Sequence, residues 1–313
     1  MGCASARASL SSDLRHEGDV SRTFSFDRNL SDFADRLDDL TAVVARAAAA
    51  IATVDPSTVA QRKKQDHSFV TTADESVEAA ILAGLAELFP SLPVVSEEAA
   101  GSARPDLSGP SFALVDPLDG TREFLEGRPE YTVNLAIVRD GTASIGIVAA
   151  PALGLLWRGC QGIAERFRWD PSRPGALIER TSIRTKPPAG NTLRVIVSRS
   201  HLDAATDALI DRLPVADRVP CGSSLKFCRL AEGEADFYPR LAPTCEWDIA
   251  AGDALLTAAG GTVTGPDGKP VRYGGAARGY RVPAFLACAD RAALRRILRE
   301  VDGWPDAATP SRP

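Results

Sequence analysis

Apolar residues at helical spacing open the readable part of the chain. Phe33, Leu37, Leu40, Val43, Val44 and Ala47 recur three and four positions apart with a polar face between them. Ser31 precedes them as the expected cap. A polar loop at 63–68 separates this helix from a second one, with Val77, Ala80, Ile81, Leu85 and Leu88 on its apolar face and Thr72 or Asp74 as its cap. The period then shortens. Residues 92–96 and 111–115 are brief apolar runs of strand type. Residues 131–139 and 142–150 are predicted to pair as a hairpin about Asp140-Gly141. Runs at 153–160 and 163–168 continue the same antiparallel sheet.

The prolines and glycines of 170–191 predict a connecting loop. Beyond it strands and helices alternate: strand 193–198, helix 202–213, helix 223–232, strand 235–238 and helix 247–259. Short strands near Val263 and at 284–288 precede a last helix at 291–299. The expected fold class is therefore α/β, with an α+β first half at 31–170 and an α/β second half at 191–302. Residues 1–30 are expected to be a mobile polar leader, and the tail beyond Gly303 to fray.

Composition narrows the function. The chain has 313 residues, 44% hydrophobic and 25% charged, as in ordinary soluble proteins. Its net charge of −5 argues against a nucleic acid polymer as partner. A phosphorylated small molecule would need the sign reversed locally, by metal ions or a few Lys and Arg. Six cysteines are scattered without a C-x-x-C pair, which argues against zinc and disulfide scaffolds and suits a reducing, cytoplasmic setting. No run of about 18 apolar residues exists, so no stable membrane insertion is expected. Gly2 and Cys3 hint at a lipid anchor, but Ala6 stands where Ser or Thr is needed. The glycines near 260–269 lack the Gly-Lys-Ser/Thr of a phosphate loop.

Acidic residues at junctions carry the chemistry. Asp116 and Asp119 follow an apolar run, with Pro117 stiffening the chain between them and Gly120 permitting a tight turn. A plain turn uses the same residues. Glu97 and Glu98 end another run, and Asp74 and Asp248 each stand where a helix begins. Taken singly these are caps or solvated loops. Together they offer the hard oxygen ligands that Mg²⁺ requires.

In order, Val70-Thr71-Thr72-Ala73-Asp74, Ser96-Glu97-Glu98, Asp116-Pro117-Leu118-Asp119-Gly120-Thr121 and Trp247-Asp248-Ile249-Ala250-Ala251-Gly252 resemble the inositol monophosphatase superfamily. That resemblance implies a layered αβαβα fold over roughly residues 33–290, Mg²⁺-dependent phosphatase activity with two to three ions, and sensitivity to lithium. It implies that Glu97, Asp116 and the Leu118 carbonyl hold one ion, and that Asp116, Asp119 and Asp248 hold a second. Asp74 and Glu97 would help place a third. Thr121, paired with Asp74, and Glu97 would orient and activate the attacking water, with Glu98 in a supporting place. The main-chain N–H groups of Gly120 and Thr121 would face the phosphate.

Ser198-Arg199-Ser200-His201, Gly222-Ser223-Ser224-Leu225-Lys226 and Tyr238-Pro239-Arg240 are similar to the 3'(2'),5'-bisphosphate nucleotidase branch. The substrate contacts expected from it are Asp119, Gly120, Thr121, Ser224, Lys226, Arg240 and Asp248. Lys226, Arg240 and Arg199 are the cations available for a second phosphate. Each has a simpler alternative: Lys226 as a solvated helix residue, Arg240 paired with Glu246 or Asp236, and Ser198–His201 as a helix cap. The activities implied are release of the 3'-phosphate of adenosine 3',5'-bisphosphate, or hydrolysis of inositol-1-phosphate or a sugar bisphosphate. A non-catalytic nucleotide- or metal-binding module is the rival from another class, and a homodimer is compatible with the sequence.

Overall fold

A computed structural model describes residues 30–300, apart from 64–68, 101–104, 171, 172 and 174. The expected leader, the tail and most of the loop at 63–68 thus lie outside the described residues. In chain order the first elements are α1 (Leu30–Asp35), α2 (Leu37–Ala52), β1 (Gln61–Lys63), β2 (Phe69–Thr71) and α3 (Thr72–Leu88). There follow β3 (Val94–Ser96), β4 (Ser111–Asp119), α4 (Thr121–Leu125), β5 (Thr132–Arg139), β6 (Thr142–Ala150), β7 (Leu155–Cys160), β8 (Ile163–Trp169) and β9 (Leu177–Ser182). The second half comprises β10 (Leu193–Ser198), α5 (Ala204–Asp211), β11 (Val215–Cys221), α6 (Leu225–Ala231), β12 (Phe237–Arg240) and β13 (Thr244–Cys245). It closes with α7 (Glu246–Ala258), β14 (Thr262–Thr264), β15 (Arg281–Val282), β16 (Phe285–Cys288) and α8 (Arg291–Glu300).

The helical spacing at 33–47 is realised, but the helix opens at Leu30, ahead of Ser31, and breaks at Arg36. The cap of α3 is Thr71, one residue earlier than expected. Its hydroxyl accepts from the N–H of Ala73 and of Asp74, and Asp74 accepts in return from the Thr71 N–H at 2.8 Å. The region 170–191 is not all loop: β9 forms the edge of the first sheet. The hairpin turns at Asp140 (φ 48°) and Gly141 (φ 70°), the paired left-handed residues of a tight two-residue turn.

Seven strands form the first sheet, in order β3-β4-β5-β6-β7-β8-β9, and five the second, in order β11-β10-β12-β16-β14. Two-residue alternation sorts the strand side chains between layers. Ala113, Val115, Val133, Leu135 and Ile147 pack with Leu40, Val44, Ile81 and Leu85 of α2 and α3. From the opposite face, Phe112, Leu114, Val138 and Val148 meet α6 and α7. Ile196, Tyr238 and Phe285 of the second sheet press on the same two helices. Val195, Phe237 and Leu286 point the other way, onto α5 and α8. The layers therefore run helix, sheet, helix, sheet, helix.

The central helix α7 lies unusually close to the first sheet. A Cβ at Gly146 on β6 would come 2.0 Å from the Ala251 carbonyl oxygen, and one at Gly159 on β7 would come 2.5 Å from the Leu255 Cα. Its N-terminal end is held from the far end of the chain. Thr244 and Cys245 pair with Val282 and Arg281, the Glu246 N–H donates to the Tyr280 carbonyl at 2.8 Å, and the fully buried Glu246 carboxylate accepts from the N–H groups of Gly274 (2.6 Å) and Gly275 (2.8 Å). Those backbone donors offset the cost of burying a charge.

Candidate active site

The two acids of Asp116-Pro117-Leu118-Asp119 belong to one strand, not to a turn after it. In a regular strand, residues three apart face opposite sides. Here β4 pairs Asp116 with Asn134 and then Asp119 with Thr132, so two residues of β4 oppose one of β5. Pro117 cannot donate to the ladder, which suits a bulge. The extra residue turns both carboxylates toward the same cavity. The Leu118 N–H donates to Asp116 Oδ1 at 3.0 Å, bending the chain further. Gly120 then takes φ 92°, and α4 begins at Thr121. A Cβ at Gly120 would press on the Glu130 carbonyl oxygen at 3.2 Å, so position and conformation both favour glycine.

A cavity of about 510 Å³ opens where these segments meet. Glu97, Asp116, Asp119 and Asp248 line it, with Leu118, Gly120 and Thr121. Glu97 follows β3, and Asp248 sits in the first turn of α7. Asp248 Oδ2 accepts from the Cys245 N–H at 2.9 Å and from the Thr244 hydroxyl. Asp74 lies one step back and is buried. Thr121 Oγ1 is 3.3 Å from Asp74 Oδ1 and 3.1 Å from the Leu118 carbonyl oxygen. Thr71 Oγ1 fixes the other Asp74 oxygen at 2.5 Å. Glu98 follows Glu97, partly buried and outside the cavity lining.

Crowding raises the carboxyl pKa values. Burial, and then the charges of Glu97, Asp119 and Asp248, push Asp116 well above the usual carboxylate range. Burial and Asp248 push Asp119 up to about 6, against the pull of Lys226 and the Ser224 hydroxyl. Burial raises Asp248, opposed first by Thr244. Asp116 Oδ2 is buried without a hydrogen-bond donor among the described residues. The Glu97 carboxylate set against it could donate only if protonated, and that contact itself raises the Asp116 pKa. Among the described residues no three His, Cys, Asp or Glu side chains stand close enough to grip one ion. The unpartnered Asp116 oxygen, with the carboxyl groups of Glu97, Asp119 and Asp248 and the Leu118 carbonyl, is nevertheless a donor set of hard oxygens, and it fits a divalent cation.

The rest of the lining comes mainly from the second half: Ser198, His201, Gly222, Ser223, Tyr238 and Arg240, with Lys226. Lys226 is not a solvated helix residue. It is 4% exposed, with Nζ 5.4 Å from the Tyr238 ring centroid. Asp236 pairs with Arg194, and Glu246 takes the amides described above with Arg278 near, so neither holds Arg240. Arg240 makes long contacts to the carbonyl oxygens of Ala242 (3.4 Å) and Pro243 (3.5 Å) and stands near Tyr238, Asp248 and Asp119. Arg199 is outside the lining and is engaged by Glu130. Ser224 stands behind Asp119 with its hydroxyl turned to the acids, while its neighbour Ser223 faces the cavity. His201, Thr244 and Glu123 also reach the site. No spacing rule singles out Thr244 or Glu123. The cavity wall and then Arg240 hold the His201 imidazole below its ordinary pKa.

Comparison with known proteins identifies relatives over most of the chain. The 3'(2'),5'-bisphosphate nucleotidase CysQ of Salmonella typhimurium is 39% identical over 212 residues, which cover 67% of this chain and 82% of that protein. CysQ of Escherichia coli K12 is 38% identical over 211 residues, covering 67% and 81%. The crystal structure of CysQ from Bacteroides thetaiotaomicron, a bacterial member of the inositol monophosphatase family, superposes with a TM-score of 0.65 at 30% identity, over 82% of this chain and 98% of that one. The model of the inositol monophosphatase family matches residues 35–303, and the chain belongs to that family.

Proposed function

We propose that this phosphatase is Mg²⁺-dependent and removes the 3'-phosphate of adenosine 3',5'-bisphosphate, giving AMP and phosphate. The observation that carries the substrate assignment is that the cavity lined by the carboxylates of Glu97, Asp116, Asp119 and Asp248 is lined by Lys226 and Arg240 as well. A substrate with one phosphate to be cleaved and another to be held matches such a lining; a neutral polyol does not need the cations.

Glu97, Asp116, the Leu118 carbonyl, Asp119 and Asp248 would hold Mg²⁺, with Asp74 assisting at a weaker third position. When bound, Mg²⁺ supplies positive charge to the phosphoryl oxygens and makes water more acidic. The single Thr121 proton is donated to Asp74 or the Leu118 carbonyl, which leaves its oxygen lone pairs to accept a hydrogen bond from the attacking water and orient it. Glu97 takes up proton density from that water. Lys226 and Arg240, with His201 beside them, hold the 5'-phosphate. The free thiols among the described residues suit a cytoplasmic enzyme, and none of the described helices is long and apolar enough to cross a membrane.

Phosphate release measured with Mg²⁺ on adenosine 3',5'-bisphosphate, inositol-1-phosphate, fructose-1,6-bisphosphate and AMP tests the assignment. A kcat/KM for the adenosine bisphosphate about a hundredfold above the others, roughly 2.7 kcal/mol of discrimination, is expected. Preference for inositol phosphate would overturn the roles of Lys226 and Arg240 and keep the metal seat. No release from any of them would leave a binding module.

A further inference from the structure

Three cavity-lining loops meet at one residue that does not itself line the cavity. Glu130, just before β5, accepts from Arg199 Nε at 2.7 Å (to Oε2) and from Arg199 Nη2 at 2.9 Å (to Oε1). Its Oε2 also accepts from the Gly222 N–H at 3.2 Å. Its main chain is the surface that a Cβ would strike at both Gly120 (3.2 Å) and Gly222 (2.9 Å). Arg199 Nη2 donates onward to the Pro220 carbonyl at 3.2 Å. Beside it, Ser200 donates to Glu123 of α4. The middle of the segment 198–201 is therefore tied to the first half of the chain through Arg199 and Ser200, and this segment carries Ser198 and His201 into the cavity.

We propose that Glu130 and Arg199 are a positioning pair that sets the loop bearing Ser198 and His201, and through it the grip on the phosphate that is not cleaved. The inference rests on the reading that the substrate carries such a second phosphate. The pair is partly exposed, with side chains 22% and 37% accessible, so it contributes little to stability. Its two parallel bonds fix direction, which a single exposed charge cannot do. Arg199 is thereby a brace for the loop instead of a cation offered to the ligand.

The test uses Glu130→Gln, Arg199→Lys and Arg199→Ala in the Mg²⁺-loaded enzyme. Each variant should raise KM for adenosine 3',5'-bisphosphate about tenfold. It should leave kcat within about twofold, along with the kcat/KM for p-nitrophenyl phosphate, which has no second phosphate. Amide hydrogen exchange across 198–203 should quicken in all three, with little change in Tm. Arg199→Lys separates the alternatives, because it keeps the charge and loses the fork. Rescue by lysine, or a lower KM when Glu130→Gln frees the guanidinium, would overturn the brace and make Arg199 a ligand for phosphate. Unchanged exchange of 198–203 would also overturn it. If the unmodified enzyme shows no preference for the bisphosphate, the substrate reading fails, while the exchange measurement still decides whether the pair positions the loop.

Discussion

The Ser224 hydroxyl oxygen stands 2.9 Å from Asp119 Oδ2 and 2.7 Å from the main-chain carbonyl oxygen of Asp248. One serine thus bridges the acid at the end of β4 and the acid at the start of α7. It has a single proton for two acceptors, and Asn134 Nδ2 donates to its oxygen at 3.0 Å, which completes its coordination. Ser224→Ala removes the bridge and leaves Asn134 buried with a lost acceptor. About 1–3 kcal/mol should go from stability, and kcat/KM should fall about tenfold. Thermal unfolding and phosphate release measured on the same preparation check both.

Asp119→Asn should abolish turnover while the fold survives. The carboxylate is pressed by Asp248 and by burial. Removing its charge relieves repulsion in the metal-free protein, so Tm should stay level or rise. Loss of an oxygen anion from the ion seat should lower kcat/KM at least about a thousandfold, some 4 kcal/mol. Near-normal phosphate release from this variant would refute the metal assignment.

Divalent cations should stabilise the folded chain, and more so as pH rises. Asp119 keeps its proton up to about pH 6, and an incoming ion must displace it. Below that pH the apparent Mg²⁺ affinity should drop by about tenfold per unit. The rise in Tm on adding Mg²⁺ at pH 5, 6 and 7.5 reads this directly. An increment independent of pH would remove Asp119 from the ligand set.

Asp253, on the buried length of α7, gives a pH effect away from the ions. Tyr273 donates to its Oδ2 at 2.8 Å and Thr257 to its Oδ1 at 3.1 Å, yet burial still lifts its pKa from 3.8 to about 6. A folded-state pKa above the unfolded one means the folded chain binds the proton more tightly. The contribution is complete below pH 3.8 and is lost as pH rises through about 6. Asp253→Asn should remove this slope, so the stability gap between variant and parent should shift by about 3 kcal/mol between pH 3.5 and pH 7. Urea unfolding across that range measures it.

Gly146→Ala should damage a site to which it contributes no atom. The added methyl would force the backbone of α7 off the first sheet at Ala251. Overpacking of this kind costs about 1–3 kcal/mol or more, and Asp248 moves with the helix. Both Tm and kcat/KM should fall. Gly109→Ala, where a Cβ meets nothing within 4 Å, serves as the neutral control.

Much of this was legible in the residues. Strong two- and three-to-four-residue periods gave the core strands and the long helices because both faces, or one whole face, are buried. Two edge strands, β9 and β11, were missed for the same reason reversed. β9 is mostly exposed along its length, and β11 carries Asp217, Arg218 and Pro220, so neither shows an apolar pattern. The acids were recognisable by type and order. Their common direction was not, since it depends on the bulge between Asp116 and Asp119, a property of pairing with β5. Ser224 and Ser223 could not be told apart because the turn that aims the Ser224 hydroxyl at Asp119 has a left-handed Ser223 (φ 45°) that no local signal announces.

The anchoring of Glu246 by Gly274 and Gly275, and of Cys245 by Arg281, has a consequence for synthesis. A nascent chain holds every acid of the site once Asp248 has left the ribosome, yet the partners of the helix end that presents Asp248 follow only after some thirty residues more, about two seconds or more at ordinary elongation rates. A product terminated just before Gly274 would carry the full complement of acids and no seat for them. The seat of Asp248 is therefore completed only after residues 274–281 have been made.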